Sequence, residues 1–187
     1  MTPEDFYKLC DDLSDAISDT ESYCLTPMLG VMRIMKERIF DKGQNSEDKK
    51  IGEYWNYISY KYPYDGPWKE VRLRYGRQIG YVDLELTGAL RNDIKVSSPS
   101  KDEYVIEFKT PDEADKADMQ EHLQGWKAGN RQKGKGFKTP KKSNWSEIYS
   151  TKPMPIFSLS KKEYEDFSDL LERSFTFKTQ SALSKYR

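Results

Sequence analysis

The sequence predicts one α+β domain, with a small, curved, mainly antiparallel sheet and helices from the N- and C-terminal ends packed on one face. Apolar and polar residues alternate through much of the stretch from 82 to 108, which is typical of half-buried strands. Before residue 42 and after residue 160, apolar residues recur instead at the spacing of amphipathic helices. A chain of 187 residues can bury a core of its own, so we expect a single domain.

The predicted sheet is a β-hairpin. The turn-rich segment Ser97–Asp102 contains Pro99, which a sheet interior would not accept, so we expect the chain to reverse there. Gly88 interrupts the first run and predicts a bend, with Leu90 folded back onto the core. The apolar face of the hairpin comprises every second residue of three runs: Val82, Leu84 and Leu86; Ile94 and Val96; Tyr104, Ile106 and Phe108.

Two helices are predicted in residues 1–42. The first begins at the N-cap Thr2, followed by Pro3 and two acidic residues that suit the positive end of a helix. The second begins after Asp19, with Lys36, Glu37 and Arg38 on its outer face. We expect its methionines to pack in the core, and a Met-rich partner groove is the alternative. The apolar faces are Phe6, Leu9, Cys10, Leu13 and Ile17 in the first helix, and Leu25, Leu29, Met32, Met35, Ile39 and Phe40 in the second.

Aromatic residues crowd the segment from 51 to 81, in a chain that holds 13 Tyr and 4 Trp. Pro63, Gly66 and Gly76 interrupt this segment, so it predicts an arm or loop and not one regular element. The arm either covers the sheet or lies on a neighbouring subunit, where aromatic anchors contribute most of the affinity. Its candidate interface residues are Trp55, Tyr57, Tyr62 and Trp68.

A short helix is predicted from Thr110, with Glu113 completing a capping box, to Gly125 as its C-terminal stop. A mobile basic loop follows, because residues 131–142 lack periodicity and carry two glycines among six positive charges. We expect an acidic protein surface, in preference to DNA phosphates, to neutralise that charge, since single-stranded binders interleave more aromatics. The candidate contacts are Arg131, Lys133, Lys135, Phe137, Lys138, Lys141 and Lys142.

The last segment is extended around Pro153–Phe157 and then helical from Ser160, with Tyr164, Phe167, Leu171 and Phe175 facing the core. The predicted domain thus divides into helical residues 1–42, an aromatic-rich arm at 43–81, a β-hairpin core at 82–109, a short helix at 110–125, a mobile basic loop at 126–150, and an extended segment with a C-terminal helix at 151–187.

Composition narrows the classes of function. Acidic and basic residues number 31 each, which argues against a general nucleic-acid or membrane binder. No apolar run reaches membrane-spanning length, and the acidic N-terminus does not resemble a signal peptide, so we expect a protein made in the cytoplasm. Cys10 and Cys24 are expected to be free, buried thiols.

Few residues offer chemistry. His122 is the only histidine, which excludes a histidine-based triad and a multi-histidine metal site. Asp83 with Glu107 and Lys109 resembles the metal-binding core of restriction-like nucleases, in which carboxylates hold Mg²⁺. Alternating charges on the solvent face of a strand give the same pattern without function. We therefore expect no enzyme, no cofactor and no metal. The alternatives are a small nucleic-acid-binding protein or Mg²⁺-dependent nuclease, and an adaptor protein whose aromatic arm binds one partner.

The phrase L-x-L-T-G-A-L-R-x-x-I, which ends at Ile94, resembles the virion-morphogenesis or tail-completion proteins of tailed bacteriophages. Residues similar to the family motif are Leu86, Thr87, Gly88, Leu90, His122 and Gly125. The family order also matches Met28–Phe40, Trp55, Arg72–Arg77, Tyr104–Phe108 and Ser160–Phe175.

This resemblance implies a structural protein of the virion neck or tail. Such a protein is made in the host cytoplasm and assembles as a homo-oligomeric ring where the portal meets the tail. Its partners would be adjacent connector, portal and tail proteins, with channel DNA nearby, and it would not contact a membrane.

Overall fold

The computed structural model describes residues 2–51, 68–78, 81–84, 87–100, 103–132, 146, 149–150 and 152–186, with the backbone alone at 68–69 and 126–132. The described residues form helices and one small two-stranded antiparallel sheet, which confirms the predicted α+β class. The elements are α1 (Pro3–Ser18), α2 (Thr20–Lys36) with a π-helical turn (Glu37–Asp41), α3 (Trp68–Arg74), α4 (Ala89–Asp93), β1 (Ile94–Ser100), β2 (Glu103–Phe108), α5 (Pro111–Gln132) and α6 (Lys161–Ser184).

Tertiary contacts divide the chain into two compact units. Unit 1 comprises Met1–Ile34, Lys95–Glu107 and Lys161–Arg187. Unit 2 comprises Met35–Ile94 and Phe108–Ser160. Among the described residues, no helix is both long and apolar enough to cross a membrane.

In unit 1, α1 begins at the predicted cap. The Thr2 hydroxyl accepts from the Asp5 amide at 3.2 Å, and the Asp5 carboxylate accepts from the Thr2 amide at 3.0 Å. This reciprocal pair satisfies amides that the first helical turn leaves free. Two ion pairs connect the N-terminal and C-terminal segments of unit 1. Lys185 pairs with Asp12 at 2.9 Å, and Lys178 pairs with Asp19 at 2.7 Å.

The predicted core faces of α1 and α6 are only partly right. Phe6, Cys10 and Ile17 are exposed, and α1 buries none of its residues. Tyr164 and Phe175 of α6 are exposed as well. The reason is that α1 packs chiefly on α6, so contact with a single helix covers a narrower stripe than a core would. Cys10 and Cys24 are both free, and Cys10 is exposed, not buried as predicted.

The predicted hairpin is shorter than expected at its first strand. The strands span Ile94–Ser100 and Glu103–Phe108, whereas residues 82–84 form no strand and Leu84 has a left-handed φ of +54°. The alternating sequence predicts that Asp83 faces solvent, but Asp83 is buried together with its neighbour Val82. Pro99 lies inside β1 and not in a turn. A two-stranded sheet gives every strand an unpaired edge, where proline is tolerated.

In unit 2, the predicted apolar stripe is buried at Met35, Ile39 and Phe40. Leu29 of the same stripe belongs to unit 1 and is exposed. Arg38, predicted on the outer face, is also buried. The π-helical turn explains this, because its wider winding brings three consecutive residues inward. The Arg38 guanidinium donates to the carbonyls of Gln44, Ile156 and Ser158 at 3.0, 3.1 and 2.8 Å.

Several predicted boundaries are wrong. Gly125 does not end a helix, because α5 continues to Gln132 and so replaces the first residues of the predicted basic loop. The predicted aromatic arm contains the helix α3. The last helix spans Lys161–Ser184, within the predicted segment 151–187. At Thr110, the hydroxyl donates to the Asp93 carboxylate at 3.2 Å, while Glu113 pairs with Lys116.

Candidate functional site

Most of the predicted assembly residues lie outside the described part of the chain. Trp68 begins α3 and Arg131 lies near the end of α5, and their side chains are not described. Their role in assembly stays a prediction. The residues outside the described part are Trp55, Tyr57, Tyr62, Lys133, Lys135, Phe137, Lys138, Lys141 and Lys142, together with Leu86 of the family motif.

The rest of the T-G-A-L-R motif builds the short helix α4. Gly88 has φ +84° and stands at the N-cap of α4, which confirms a bend that disfavours side chains with a Cβ. The Thr87 hydroxyl accepts from the Ala89 amide at 3.3 Å, and the Gly88 carbonyl accepts from the Asn92 amide at 3.0 Å. Leu90 is buried, as predicted.

Three positive side chains gather around α4. Arg91 pairs with Asp41 through both guanidinium Nη atoms, at 2.6 and 3.0 Å, and lies 5.8 Å from the centre of the Phe40 ring. Lys36 donates to the Ile94 carbonyl at 2.9 Å. Lys109 donates to the Asn92 carbonyl at 3.0 Å. We refer to Lys36, Arg91 and Lys109 as the α4 cation cluster.

The cluster leaves its charge partly uncompensated. The pKa of Lys36 is lowered by burial and then by the positive charges of Lys109 and Arg91, all of which oppose its charged form. The carboxylate of Asp93, at the end of α4, accepts from the Thr110 amide at 2.9 Å and from the Thr110 hydroxyl. The carboxylate of Asp41 forms an ion pair with Arg91.

A second charged group in unit 2 is a buried ion pair. Arg72 donates through Nη2 to both carboxylate oxygens of Asp83, at 2.8 and 2.7 Å. Gln78 donates to the same carboxylate at 2.6 Å, and its own side-chain carbonyl accepts from the Tyr81 amide at 3.2 Å. These hydrogen bonds hold α3 and the residues that follow it against Asp83. They also pair two charges that would otherwise be costly to bury.

This geometry bears on the three residues that resemble a nuclease site. The Asp83 carboxylate is buried against Arg72. The Glu107 carboxylate is exposed and accepts from Ser97 at 2.7 Å, with Lys95 at 3.1 Å, and these hydrogen bonds lower its pKa. Lys109 contacts the Asn92 carbonyl. Within the described residues, no group of three or more His, Cys, Asp or Glu side chains is arranged to hold a metal ion.

The His-x-x-Gly motif lies on α5 and secures an extended segment. A Cβ on Gly125 would overlap the Lys152 carbonyl oxygen, so this position needs glycine for close approach and not as a helix stop. Glu121 Oε1 accepts from the amides of Ile156 and Phe157 at 2.7 and 2.8 Å, and its carbonyl accepts from the Met154 amide at 2.9 Å. The His122 ring lies 4.8 Å from that of Tyr149.

Unit 1 exposes large apolar side chains on two of its long helices, α1 and α6. Tyr7 on α1 is 69% exposed and Phe177 on α6 is 75% exposed. Scattered exposed apolar residues are common on folded proteins, and here several lie on two helices that pack together. We call this set the unit 1 apolar surface; it comprises Phe6, Tyr7, Ile17, Tyr164, Phe175, Phe177 and Leu183.

Sequence reasoning missed Arg38, Glu121 and the α4 cation cluster. Arg38 and Lys36 occupy outer positions of an ideal α-helix, and only the π-helical turn changes the register between them. Glu121 is one acid in a polar helix, so no local pattern marks it. The one available signal was the adjacent His122-x-x-Gly125 phrase.

No known protein family matches this chain, and no significantly similar curated protein or solved structure is found. The resemblance to tail-completion proteins stays a prediction that rests on short sequence motifs.

Proposed function

We propose that this chain is a structural protein of a tailed-phage virion, a head–tail connector or tail-completion component that assembles as a ring at the junction of portal and tail. Its role is assembly, in which symmetric copies present the same interface to one another. The observation that carries the assembly role is the unit 1 apolar surface.

The energetics favour a partner for that surface. Full burial of a large apolar side chain contributes roughly 1.5–3 kcal/mol relative to exposure. Tyr7 and Phe177 are largely exposed in the single chain, so most of this stabilisation would be gained only when a partner buries them. Aromatic residues of this kind are enriched at interfaces and supply much of the binding energy there.

The assignment to a phage neck rests on the motif resemblance. One structural observation supports it, because the two motif phrases lie in the same compact unit. The T-G-A-L-R phrase and the His-x-x-Gly phrase both belong to unit 2, on α4 and α5, and these helices contact each other. Each phrase also has a backbone reason for its glycine: the left-handed φ of Gly88 and the close approach at Gly125. Motifs that build one compact unit support the proposal more than isolated matches do.

Incorporation into particles tests this function. A phage that lacks the gene would be complemented with the full chain or with Phe177→Ser, which removes the most exposed aromatic of α6. Gln180→Ser, at another exposed position of the same helix, is the matched control. We expect the unaltered chain and the control to enter tailed particles and Phe177→Ser to enter them less.

Charge reversal at Lys133, Lys135 and Lys138 tests the predicted role of the basic segment in the same assay. Reduced incorporation with an unaltered melting temperature would support that role. Tailed particles that form normally without the protein would contradict the proposed function.

A further inference from the structure

We propose that Lys36 and Lys109, with Arg91 beside them, form a binding site for a phosphate group at the C-terminal end of α4. The inference goes beyond the assembly role and does not depend on ring formation. It rests on described side chains of unit 2 alone.

The two lysines converge on neighbouring backbone positions. Lys36 comes from the end of α2 and Lys109 from the residue after β2, and they bind the carbonyls of Ile94 and Asn92. Carbonyl groups two residues apart are separated by at most roughly 7 Å of extended chain. Two ammonium groups from distant parts of the sequence are thus held at one end of a five-residue helix.

Both ammonium groups keep donors for a ligand. An ammonium carries three N–H donors, and each lysine uses one of them on its carbonyl. Among the described residues, neither ammonium contacts a carboxylate. Two acids that flank α4 in unit 2 have other partners: Asp41 pairs with Arg91, and Asp93 accepts from the amide and hydroxyl of Thr110.

The electrostatics favour an anion at this place. The positive charges of Lys109 and Arg91 act on Lys36 and, after burial, are the causes that lower its pKa. A bound anion would reverse this effect, since an opposite charge nearby stabilises the ammonium form. Arg91 contributes through its charge, while its bidentate contact with Asp41 keeps it in position.

Phosphate suits the donor set better than a carboxylate. It offers three or four acceptor oxygens and up to two negative charges, so it can accept from two ammonium groups at once, and lysine binds phosphate as a point charge. The group can come from inorganic phosphate or from the phosphodiester backbone of a nucleic acid. Both sources share the chemistry that the lysines recognise.

The test uses the full chain and follows the lysine Nζ resonances by NMR. Inorganic phosphate is titrated in one arm and a short DNA duplex in the other. The variants are Lys36→Met and Lys109→Met, which remove the charge and keep most of the aliphatic stem. Lys49→Met is the control, because Lys49 is an exposed lysine of the same unit paired with Glu47 at 2.8 Å.

We expect phosphate to raise the pKa of Lys36 in the unaltered chain, and either variant to weaken phosphate binding roughly ten-fold or more, as for loss of one charged hydrogen bond. The control should bind as the unaltered chain does. If the duplex competes with phosphate and its binding weakens as salt is added, the site binds a nucleic-acid backbone. Binding of inorganic phosphate alone would assign it to a small phosphate ligand.

Two results would overturn the site. One is the absence of a response at Lys36 and Lys109 to both probes, and the other is an equal loss of binding in Lys49→Met. Melting temperatures confirm that each variant is folded. Lys109 is exposed, so Lys109→Met keeps the test decisive even where Lys36→Met fails to fold.

Discussion

Arg72 and Asp83 form a buried ion pair in which both carboxylate oxygens accept from one guanidinium nitrogen, and their side chains are only 1% and 5% exposed. Gln78 joins the pair twice: its side-chain amide donates to Asp83 at 2.6 Å, and its backbone carbonyl accepts from Arg72 Nε at 2.9 Å. The pair joins α3 to the segment before α4.

Removing one partner of this pair should destabilise the protein strongly. Asp83→Leu is expected to lower the free energy of unfolding by roughly 3–5 kcal/mol, because it removes the carboxylate that accepts from the buried Arg72 guanidinium. The double variant Arg72→Met with Asp83→Leu should recover much of that loss. Denaturant unfolding measures both values. Glu47→Gln breaks an exposed pair and, as the control, should change stability by less than about 1 kcal/mol. An equally small effect of Asp83→Leu would show that the pair is not buried in solution.

Gly88→Val should lower stability by roughly 1–3 kcal/mol, the usual range for a residue held in an unfavourable backbone region. The reason is the φ of +84° at the N-cap of α4, which a β-branched residue adopts poorly. Ala89→Val places the same side chain at the next, exposed position and should have the smaller effect. Thermal unfolding measures both. Equal melting temperatures for the two variants would place the bend elsewhere.

The ion pair between Lys185 and Asp12 should make the packing of α1 on α6 depend on pH. The hydrogen bond from Lys185 is the main cause that lowers the pKa of Asp12 below its usual value of 3.8. A carboxylate with a lowered pKa contributes stability above its unfolded pKa and loses that contribution as pH falls through the folded pKa. Melting temperature should therefore fall more steeply below pH 4 in the unaltered chain than in Asp12→Asn. Asp11→Asn, at an exposed position one residue away, should keep the steep dependence. Identical pH profiles for all three chains would contradict the pairing.

Purified protein should leave plasmid DNA intact with Mg²⁺ or Mn²⁺. The physical reason is that the Asp83 carboxylate is already bound by Arg72 and Gln78 and is buried, so it does not reach a metal ion in solution. Gel electrophoresis of plasmid after incubation measures the outcome. Cleavage that disappears in Glu107→Ala would establish the nuclease alternative.

The sequence predicted local structure well where a few neighbouring residues decide it. The cap at Thr2 and the strand from Glu103 to Phe108 depend on short-range spacing, and both are present. The bend at Gly88 follows from the conformational freedom of one residue. Such features need no knowledge of what the segment packs against.

Features that depend on distant partners were not predictable. Asp83 alternates with apolar neighbours as an exposed strand residue would, and only Arg72, eleven positions earlier, makes it a buried acid. Gly125 resembles a helix stop until the Lys152 backbone is placed against it. The α4 cation cluster unites residues from three separated segments, so no window of sequence contains it.

The central claim, that this chain is an assembly protein, is tested most directly by native mass spectrometry of the full chain over a range of concentrations. We expect a single closed oligomer of defined subunit number to form as concentration rises, since burial of the unit 1 apolar surface favours association. Phe177→Ser should shift the equilibrium toward monomer, and Gln180→Ser should not. A monomer at every concentration, with both variants indistinguishable from the unaltered chain, would contradict the claim.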